Sequence, residues 1–591
     1  CRGLWVNNLL GGSDRAPLRK GKNIPIDLAF ALHTDAGFTL DSTTIGTMGI
    51  YMTNVNDSKF ASGYNRYASR DFSDIVQTQL VDDIRAQYCA DWNRRRLTNE
   101  SYHEARTPEV PTLLLEFLSH QNYDDMKFGL DPNFRFSVAR SIYKGMLKFL
   151  ASQYDVEYEV QPLPVRNFSA KIIDSTESAT VALSWSAQAD SLEESAYPKK
   201  YIVYKAVENN GFDNGTVTNV PYIVLPIGND TIYRFKVTAV NDGGESFPSE
   251  ILSVCNLSES KGLLLIVNGF DRVSAPEHFR VAKHSGFLDR LDYGVPDKYD
   301  VSYTGSQYNF VIGSTFATNN APGHGASSGE FETDIIAGNT FDFPYKHGRS
   351  IKKAGYSFAS CSDEFFESEQ IDLDKYFAID YILGEEKETI SGKAVKYQVF
   401  SENMISKLKD YLLKHNGNLL LTGAYIGSDI WEKDSCDMNK IDFAENVLHY
   451  TFVKTDASNN GKLTLLTNSD FNSEFNFCTK LNQSLYAVEA PDAINCTKGG
   501  KVQFRFSDSK LPACVTYRGT YKSVVATFPF ESILYESNRN KFMSETLSFF
   551  ENNERKVKKR TVAAKSSPKK KSVAKKKKKN KTVKKRKVSP R

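Results

Sequence analysis

Two polar residues stand directly behind short apolar runs in the first quarter of the chain. The run from Ile26 ends at His33, and the run from Pro111 ends at Glu116. Runs of this length predict buried strands, so both side chains are expected at strand ends. An imidazole there can offer a neutral nitrogen to zinc, and a neighbouring carboxylate can take a proton from a metal-bound water. The pair predicts metal-assisted hydrolysis, and hydrogen-bonded structural roles remain the alternative.

More polar residues lie near this pair in the sequence. Asp35 follows the histidine by two residues, and His103, Glu104 and Arg106 precede the second apolar run. The last three could line the same groove as the glutamate, or they could form an ordinary solvated loop. The sequence leaves both interpretations open.

Four short motifs extend the pattern. They are Phe-Ala-Leu-His-Thr-Asp-Ala at 30–36, Pro-Thr-Leu-Leu-Leu-Glu at 111–116, Asp-Pro-Asn-Phe-Arg at 131–135 and Ile-Tyr-Lys-Gly-Met at 142–146. In this order and spacing they resemble the C-terminal half of the zinc-dependent N-acetylmuramoyl-L-alanine amidases of bacterial cell-wall turnover. The resemblance covers roughly residues 25–150.

The resemblance implies a role for each matched residue. His33 would be a zinc ligand, and Glu116 would be the general base whose activated water attacks the amide between the lactyl group of muramic acid and L-alanine. Asp35, Arg106 and Asn122 are candidates for the substrate groove. Zn²⁺ is the implied cofactor and peptidoglycan, or another envelope glycan, the implied partner. The implied location is the bacterial cell envelope: periplasmic, associated with the outer membrane, or secreted.

The chain also departs from the family's pattern. The family needs two further metal ligands, a histidine in a Gly-His-Gly turn and a glutamate about one helix later, and both precede the segment matched here. Catalytic zinc normally has three protein ligands plus water. We therefore expect an amidase-like domain whose N-terminal part is missing, or an inactive one. The Gly-His-Gly sequence around His324 is only superficially similar, because no apolar strand leads into it.

Residues 1–155 have the pattern of an α/β domain. Apolar residues recur every four positions from Val76 to Trp92, which predicts a helix with Asp71 and Ser73 as possible caps. A second helix is predicted after Asp131, because a proline follows it and apolar residues then share one face.

Residues 160–256 change to a period of two. Alternating runs separated by Gly, Asn and Asp predict an antiparallel β-sandwich. Trp185 in an early strand and Tyr233 at the head of Tyr-Arg-Phe-Lys-Val-Thr-Ala resemble a fibronectin type III domain, with Tyr233 as its corner tyrosine. Such a domain implies a spacer or a binding module.

Residues 260–550 return to an α/β pattern. Apolar runs beginning at Gly262, Tyr376 and Asn418 predict strands of a mostly parallel sheet, and Ser401 is expected to cap a helix that ends before Asn416. The order is similar to that of flavodoxin-like or class I glutamine-amidotransferase domains. Cys361 would be the thiol nucleophile of an amidotransferase, but the glycine elbow that such a nucleophile needs is missing. We expect a structural or carbohydrate-binding role.

The C-terminal residues have an extreme composition. Residues 555–591 contain 20 of the 75 Lys and Arg residues and no acid, which leaves the rest of the chain with a charge of −16. This segment is predicted to be disordered and to bind an anionic polymer such as lipopolysaccharide or nucleic acid. No apolar run of 18 residues occurs, so no transmembrane segment is predicted.

The sequence thus predicts a multi-domain protein of class α/β plus all-β. Its parts are an amidase-like domain at 1–155, a fibronectin type III sandwich at 160–256, a flavodoxin- or amidotransferase-like α/β domain at 260–550 and a disordered Lys-rich tail at 555–591. The predicted function is hydrolysis of the muramoyl–alanine amide. The alternatives are a non-catalytic glycan-binding or adhesion protein, and a surface protein of the polysaccharide-lyase type.

Overall fold

The computed structural model describes residues 2–12, 20–41, 43–174, 179–281, 284–287, 290–307, 309–310, 329–369, 371–432 and 437–551. The predicted polyanion-binding tail and the Gly-His-Gly sequence around His324 lie outside the described residues. Within the described ranges, no helix combines the length and the apolar character needed to cross a bilayer.

The N-terminal sheet positions the two predicted site residues. Its strands are β1 (Ala29–Asp35), β2 (Met48–Tyr51), β3 (Thr98–Asn99) and β4 (Thr112–Ser119), in the order β1-β4-β2-β3. The two apolar runs form β1 and β4, as predicted; β1 runs parallel to β4, and β2 runs antiparallel to β4. The helices of this region are α1 (Arg2–Leu9), α2 (Tyr67–Gln87), α3 (His103–Arg106), α4 (Tyr123–Gly129) and α5 (Pro132–Tyr154).

Helices α2 and α5 cover one face of this sheet. Their apolar stripes pack on Leu113 and Leu115 of β4, while Leu114 faces the opposite side with Ile50 and Ala105. The helices approach closely because Gly145 has no side chain: a Cβ there would lie 2.8 Å from the Cα of Val76.

The predicted start of α2 was wrong, and that of α5 is confirmed. α2 begins at Tyr67, whose N–H donates to the side chain of Asn65 (2.9 Å), so Asp71 and Ser73 lie inside the helix. The helix also ends before Trp92, which is buried in the core. At α5, the carboxylate of Asp131 accepts the N–H of Asn133 (2.9 Å) and caps the helix.

The second region consists of antiparallel strands around one core. The hydroxyl of Tyr233, in β10, accepts the N–H of Gly228 (2.9 Å). A corner tyrosine makes this type of contact with the backbone a few residues upstream. Trp185 is buried in the core between the two layers. The strands are β5 (Arg166–Asp174), β6 (Thr180–Ser186), β7 (Lys200–Val207), β8 (Thr216–Thr218), β9 (Tyr222–Pro226), β10 (Tyr233–Asn241), β11 (Gly244–Glu245) and β12 (Leu252–Val254).

The third region is built on a parallel sheet. Its five parallel strands are β13 (Leu263–Asn268), β18 (Ser357–Ser362), β19 (Ala378–Gly384), β22 (Asn418–Gly423) and β28 (Lys522–Ala526). They lie in the spatial order β18-β13-β19-β22-β28, which is the 2-1-3-4-5 order of doubly wound sheets. β18 also pairs antiparallel with β5, so this sheet continues into one layer of the sandwich.

Helices cover both faces of the parallel sheet. They are α6 (Phe343–Ala354), α7 (Asp363–Ser368), α8 (Glu402–Leu413), α9 (Ser428–Trp431), α10 (Met438–Asp442) and α11 (Glu536–Glu551). The Ser401 cap is confirmed, since its hydroxyl accepts the N–H of Met404 (3.0 Å). Cys361 lies in β18 with its thiol buried, and burial raises the pKa of that thiol far above its usual value, which fits a structural residue.

Shorter strands complete the third region. They are β14 (His278–Val281), β15 (His284–Phe287), β16 (Tyr299–Asp300), β17 (Ile336–Ala337), β20 (Thr389–Ser391), β21 (Ala394–Tyr397), β23 (Tyr450–Lys454), β24 (Leu463–Leu465), β25 (Ala493–Cys496), β26 (Gly500–Phe506) and β27 (Pro512–Arg518). β24, β26 and β27 extend the large sheet beyond β28, and the others form two-stranded pairs.

Candidate functional site

The parallel pairing of β1 and β4 places His33 directly opposite Glu116. Residues that face each other across neighbouring strands project to the same side of a sheet. The two residues that the sequence singled out, 83 positions apart, therefore share one face near the carboxyl ends of both strands.

A third residue joins them. The Nε2 atom of His33 lies 2.6 Å from Oε2 of Glu104, and the other oxygen of Glu104 accepts from Arg2 (2.9 Å). Burial alone would raise the pKa of Glu104, but the hydrogen bond from His33 and the charges of His33 and Arg2 lower it overall. Glu104 is therefore a carboxylate at neutral pH.

Glu116 occupies a different environment. Its Oε2 atom is buried and has no hydrogen-bond partner among the described residues. Burial raises its pKa above the usual value, and the charge of Asp35 acts in the same direction, while His33 and Arg95 partly offset it. A carboxylate with an unused oxygen and a raised pKa is suited to accept a proton.

These side chains line an open cleft of about 500 Å³. It lies on the face of the sheet opposite α2 and α5, where short α3 and the start of the chain form the rim. The lining residues are Arg2, His33, Tyr102, His103, Glu104, Leu114 and Glu116.

The three predicted groove residues have other contacts. Asp35 forms an ion pair with Arg95 (2.6 Å) near Glu116. Arg106 donates to the backbone and hydroxyl of Ser101 and does not line the cleft. Asn122 is buried and donates to the carbonyl of Thr43 (2.9 Å), so it fastens the loop after β1. Of the three, only Asp35 acts on the cleft, through its charge.

The residues present do not fit a complete zinc site. Within the described ranges, no three His, Cys, Asp or Glu side chains are arranged to hold a metal ion together. His33 and Glu104 have the right chemistry for zinc, but they contact each other, and three protein ligands are the norm. From the sequence, Glu104 is only a possible groove residue. Its position just ahead of β4 was the signal, while its contact with His33 spans 71 residues and required the fold.

No protein-family profile matches the sequence, and no curated protein is significantly similar to it. Solved structures similar to parts of the chain include N-acetylmuramoyl-L-alanine amidases. The amidase from Clostridium difficile 630 is 16% identical, with 26% of this chain and 64% of that chain covered and a TM-score of 0.19. The catalytic domain of the amidase from Bacillus (Paenibacillus) polymyxa var. colistinus is 20% identical, with 22% and 59% covered and a TM-score of 0.17.

A human FNIII domain is also similar to part of the chain. It is 24% identical, with 16% of this chain and 80% of that chain covered and a TM-score of 0.15. The chain spans less than two thirds of the length of the amidases that it matches.

Proposed function

We propose that residues 2–154 carry an amide-hydrolase site of the N-acetylmuramoyl-L-alanine amidase type, with Glu116 as the general base. The observation that carries the proposal is the placement of His33 and Glu116 on facing positions of two parallel strands, where both open on one cleft. This is the juxtaposition that the sequence resemblance requires of a zinc ligand and its base.

Glu116 has the properties of the proposed base. Its unpartnered oxygen can take a proton from water as the water oxygen attacks the amide carbonyl carbon. The carbon–nitrogen bond then breaks, and the same proton passes from Glu116 to the departing amino group of L-alanine. The lactyl group is released as a carboxylic acid. The cleft is open, so a substrate attached to a glycan strand can reach it.

Zinc belongs to this proposal through the resemblance alone. It would polarise the amide and activate the water when bound, with His33 as one ligand. Because the described residues do not complete a three-ligand set, no step above depends on the metal. Zinc bound per chain, measured on the purified protein and on the His33→Ala variant, tests this part: the proposal expects the substitution to remove it.

The test of catalysis uses the full chain and soluble muropeptides that contain the muramoyl–alanine amide. Glu116→Gln is expected to lower the rate of L-alanine-peptide release by about 10²–10⁴-fold. Glu100→Gln, at an exposed position outside the cleft, is the matched control and keeps the rate. Full activity of the Glu116 variant would contradict the assignment, as would an inactive parent chain.

One observation favours a second function. The incomplete metal set among the described residues fits a glycan-binding protein on an amidase scaffold. In that case the parent chain co-sediments with insoluble peptidoglycan, releases nothing from it, and retains this binding in the Glu116→Gln variant.

The Lys-rich segment supplies the proposed attachment. We place the protein in the bacterial cell envelope or outside the cell, held to an anionic polymer by residues 555–591. Deleting these residues should reduce retention on lipopolysaccharide, and the salt dependence of retention should disappear with them. Equal loss of DNA retention would point to a general polyanion binder.

A further inference from the structure

The parallel sheet of the third region changes its direction of winding between β13 and β19. These are the first and third strands of the order 2-1-3-4-5, and they pair in register. In open sheets of this order, ligands bind at that point, outside the carboxyl ends of the strands. The residues that follow β13 and β19 therefore decide what this position can bind.

Carboxyl side chains gather at this position. Asp271 follows β13 and Glu386 follows β19, and the two side chains form a hydrogen bond. Asp363 and Glu364 come directly after β18, the other neighbour of β13. Glu250, two residues ahead of β12, completes the group, since the charges of Glu364 and Asp271 act on it. We call these five residues the acidic cluster.

The cluster has more negative than positive groups. Burial raises the pKa values of Glu250 and Asp363 far above their usual range, and the charge of Glu364 is the next largest cause in both. The same two causes raise the pKa of Asp271, which Lys396 only partly offsets. A cation among these side chains would favour their ionised forms. Glu364 is exposed, so the cluster is open to ions from the solvent.

A neutral side chain gives independent support for a ligand. Asn268, the last residue of β13, is only 2% exposed. Its Nδ2 atom donates to Oε2 of Glu250 (2.6 Å), which fixes the amide group against the acidic cluster. The Oδ1 atom of the same amide has no hydrogen-bond partner among the described residues. A buried acceptor without a donor needs an explanation, and a bound ion provides one.

The available atoms select the type of cation. Carboxylate and amide oxygens are the ligands of hard cations such as Mg²⁺ and Ca²⁺. In the part of the chain that the structure describes, no three His, Cys, Asp or Glu side chains could hold one metal ion directly. Ca²⁺ takes six to eight oxygen ligands, whereas Mg²⁺ keeps several of its waters and needs only one or two carboxylates. The arrangement therefore favours Mg²⁺.

We propose that the acidic cluster binds a hydrated Mg²⁺ ion, with Oδ1 of Asn268 and the surrounding carboxylates holding the ion or its waters. The site lies at the switch point of the parallel sheet. It is separate from the cleft at His33 and Glu116, and the inference does not rest on the proposed amide hydrolysis.

The test measures binding of Mn²⁺, which prefers the same octahedral oxygen ligands as Mg²⁺ and is detected by electron paramagnetic resonance. The full chain, freed of metal with EDTA, should bind a Mn²⁺ ion that Mg²⁺ displaces. Asp271→Asn and Glu364→Gln should each weaken this binding by about 10–100-fold, as loss of a carboxylate that orients a metal's ligands typically does. Glu364 is exposed, so its substitution does not threaten folding.

Two control variants locate the ion. Glu369→Gln changes an exposed carboxylate just beyond the end of α7 and should keep the parent affinity. His33→Gln should also keep it, and loss of binding there would place the ion in the amidase-like cleft and overturn the proposal.

Three further results would overturn it. They are a parent chain that binds no Mn²⁺, an unchanged affinity in either Asp271→Asn or Glu364→Gln, and displacement of Mn²⁺ by methylammonium as effective as that by Mg²⁺. The last result would show that the acidic cluster attracts any cation. Because no muropeptide is used, failure of the proposed amidase activity leaves this test intact.

Discussion

His33 and His347 both contact acidic side chains, but their surroundings differ completely. His33 lies at the open cleft and bonds one glutamate through one nitrogen. His347, on α6, has no exposed surface, and both of its nitrogens are engaged: Nδ1 with Asp380 (2.8 Å) and Nε2 with Glu531 (3.2 Å). Residue types alone do not separate the two cases.

The protonation of the buried histidine follows from its partners. Burial by itself would lower the pKa of His347, but the charges and hydrogen bonds of Asp380 and Glu531 outweigh it and raise the pKa to about 9. The second oxygen of Glu531 accepts from the hydroxyl of Tyr486 (2.7 Å). His347 is thus a charged, fully paired residue that ties α6 to β19 and to the turn before α11. It has no nitrogen left for a ligand, whereas His33 retains one.

The largest effect that tests this difference is the loss of the buried histidine. His347→Gln leaves two carboxyl groups buried without their cation, which is expected to cost about 3–5 kcal/mol in the free energy of unfolding. Guanidinium unfolding measures it, and hydrogen exchange of residues 343–354 locates it. His415→Gln is the control, because His415 makes its ion pair with Asp374 at the surface, and stability should not change. A change below about 1 kcal/mol for His347→Gln would show that the pair is not structural.

The next effect is a dependence of stability on pH. Because the pKa of His347 in the folded chain is above its unfolded value of 6.5, the stabilisation is complete below pH 6.5 and is lost as the pH rises to about 9. The shift corresponds to roughly 3 kcal/mol. Unfolding of the parent chain and of His347→Gln at both ends of this range measures it. The stability difference between the two proteins should shrink at high pH, and a constant difference would mean that His347 is neutral.

The smallest expected effect belongs to the cleft. His33→Gln should change the free energy of unfolding by less than about 1 kcal/mol, because its ion pair is partly exposed. The same substitution should remove muropeptide hydrolysis. If this variant unfolded as readily as His347→Gln, the contrast between the open and the buried histidine would disappear.

Sequence patterns predicted the elements correctly where residues close together in the chain define them. Strands β1 and β4, the caps at Asp131 and Ser401 and the antiparallel second region follow from residues within a few positions of one another. The prediction for the start of α2 failed because Asp71 and Ser73 are good caps in isolation, while the helix begins earlier, at Tyr67, whose N–H donates to Asn65. The sequence did not indicate the structural role of His347, because no residue near it in the chain reveals its contacts with Asp380 and Glu531.

By itself, the sequence determined that His33 and Glu116 lie in two short strands, and that an acidic chain carries a basic C-terminal segment. The predicted strand ends were wrong, because β1 continues to Asp35 and β4 to Ser119, and no residue of β1 is fully buried. The tertiary structure decided that these two strands are parallel neighbours in register, that Glu104 reaches His33 across 71 residues, and that Arg106 and Asn122 lie away from the cleft. It also decided that the parallel sheet continues through β18 into the sandwich. The physical reason is common to all of these. Apolar patterns specify which face of an element is buried, but hydrogen bonds between distant strands and the closure of long loops decide which polar groups meet.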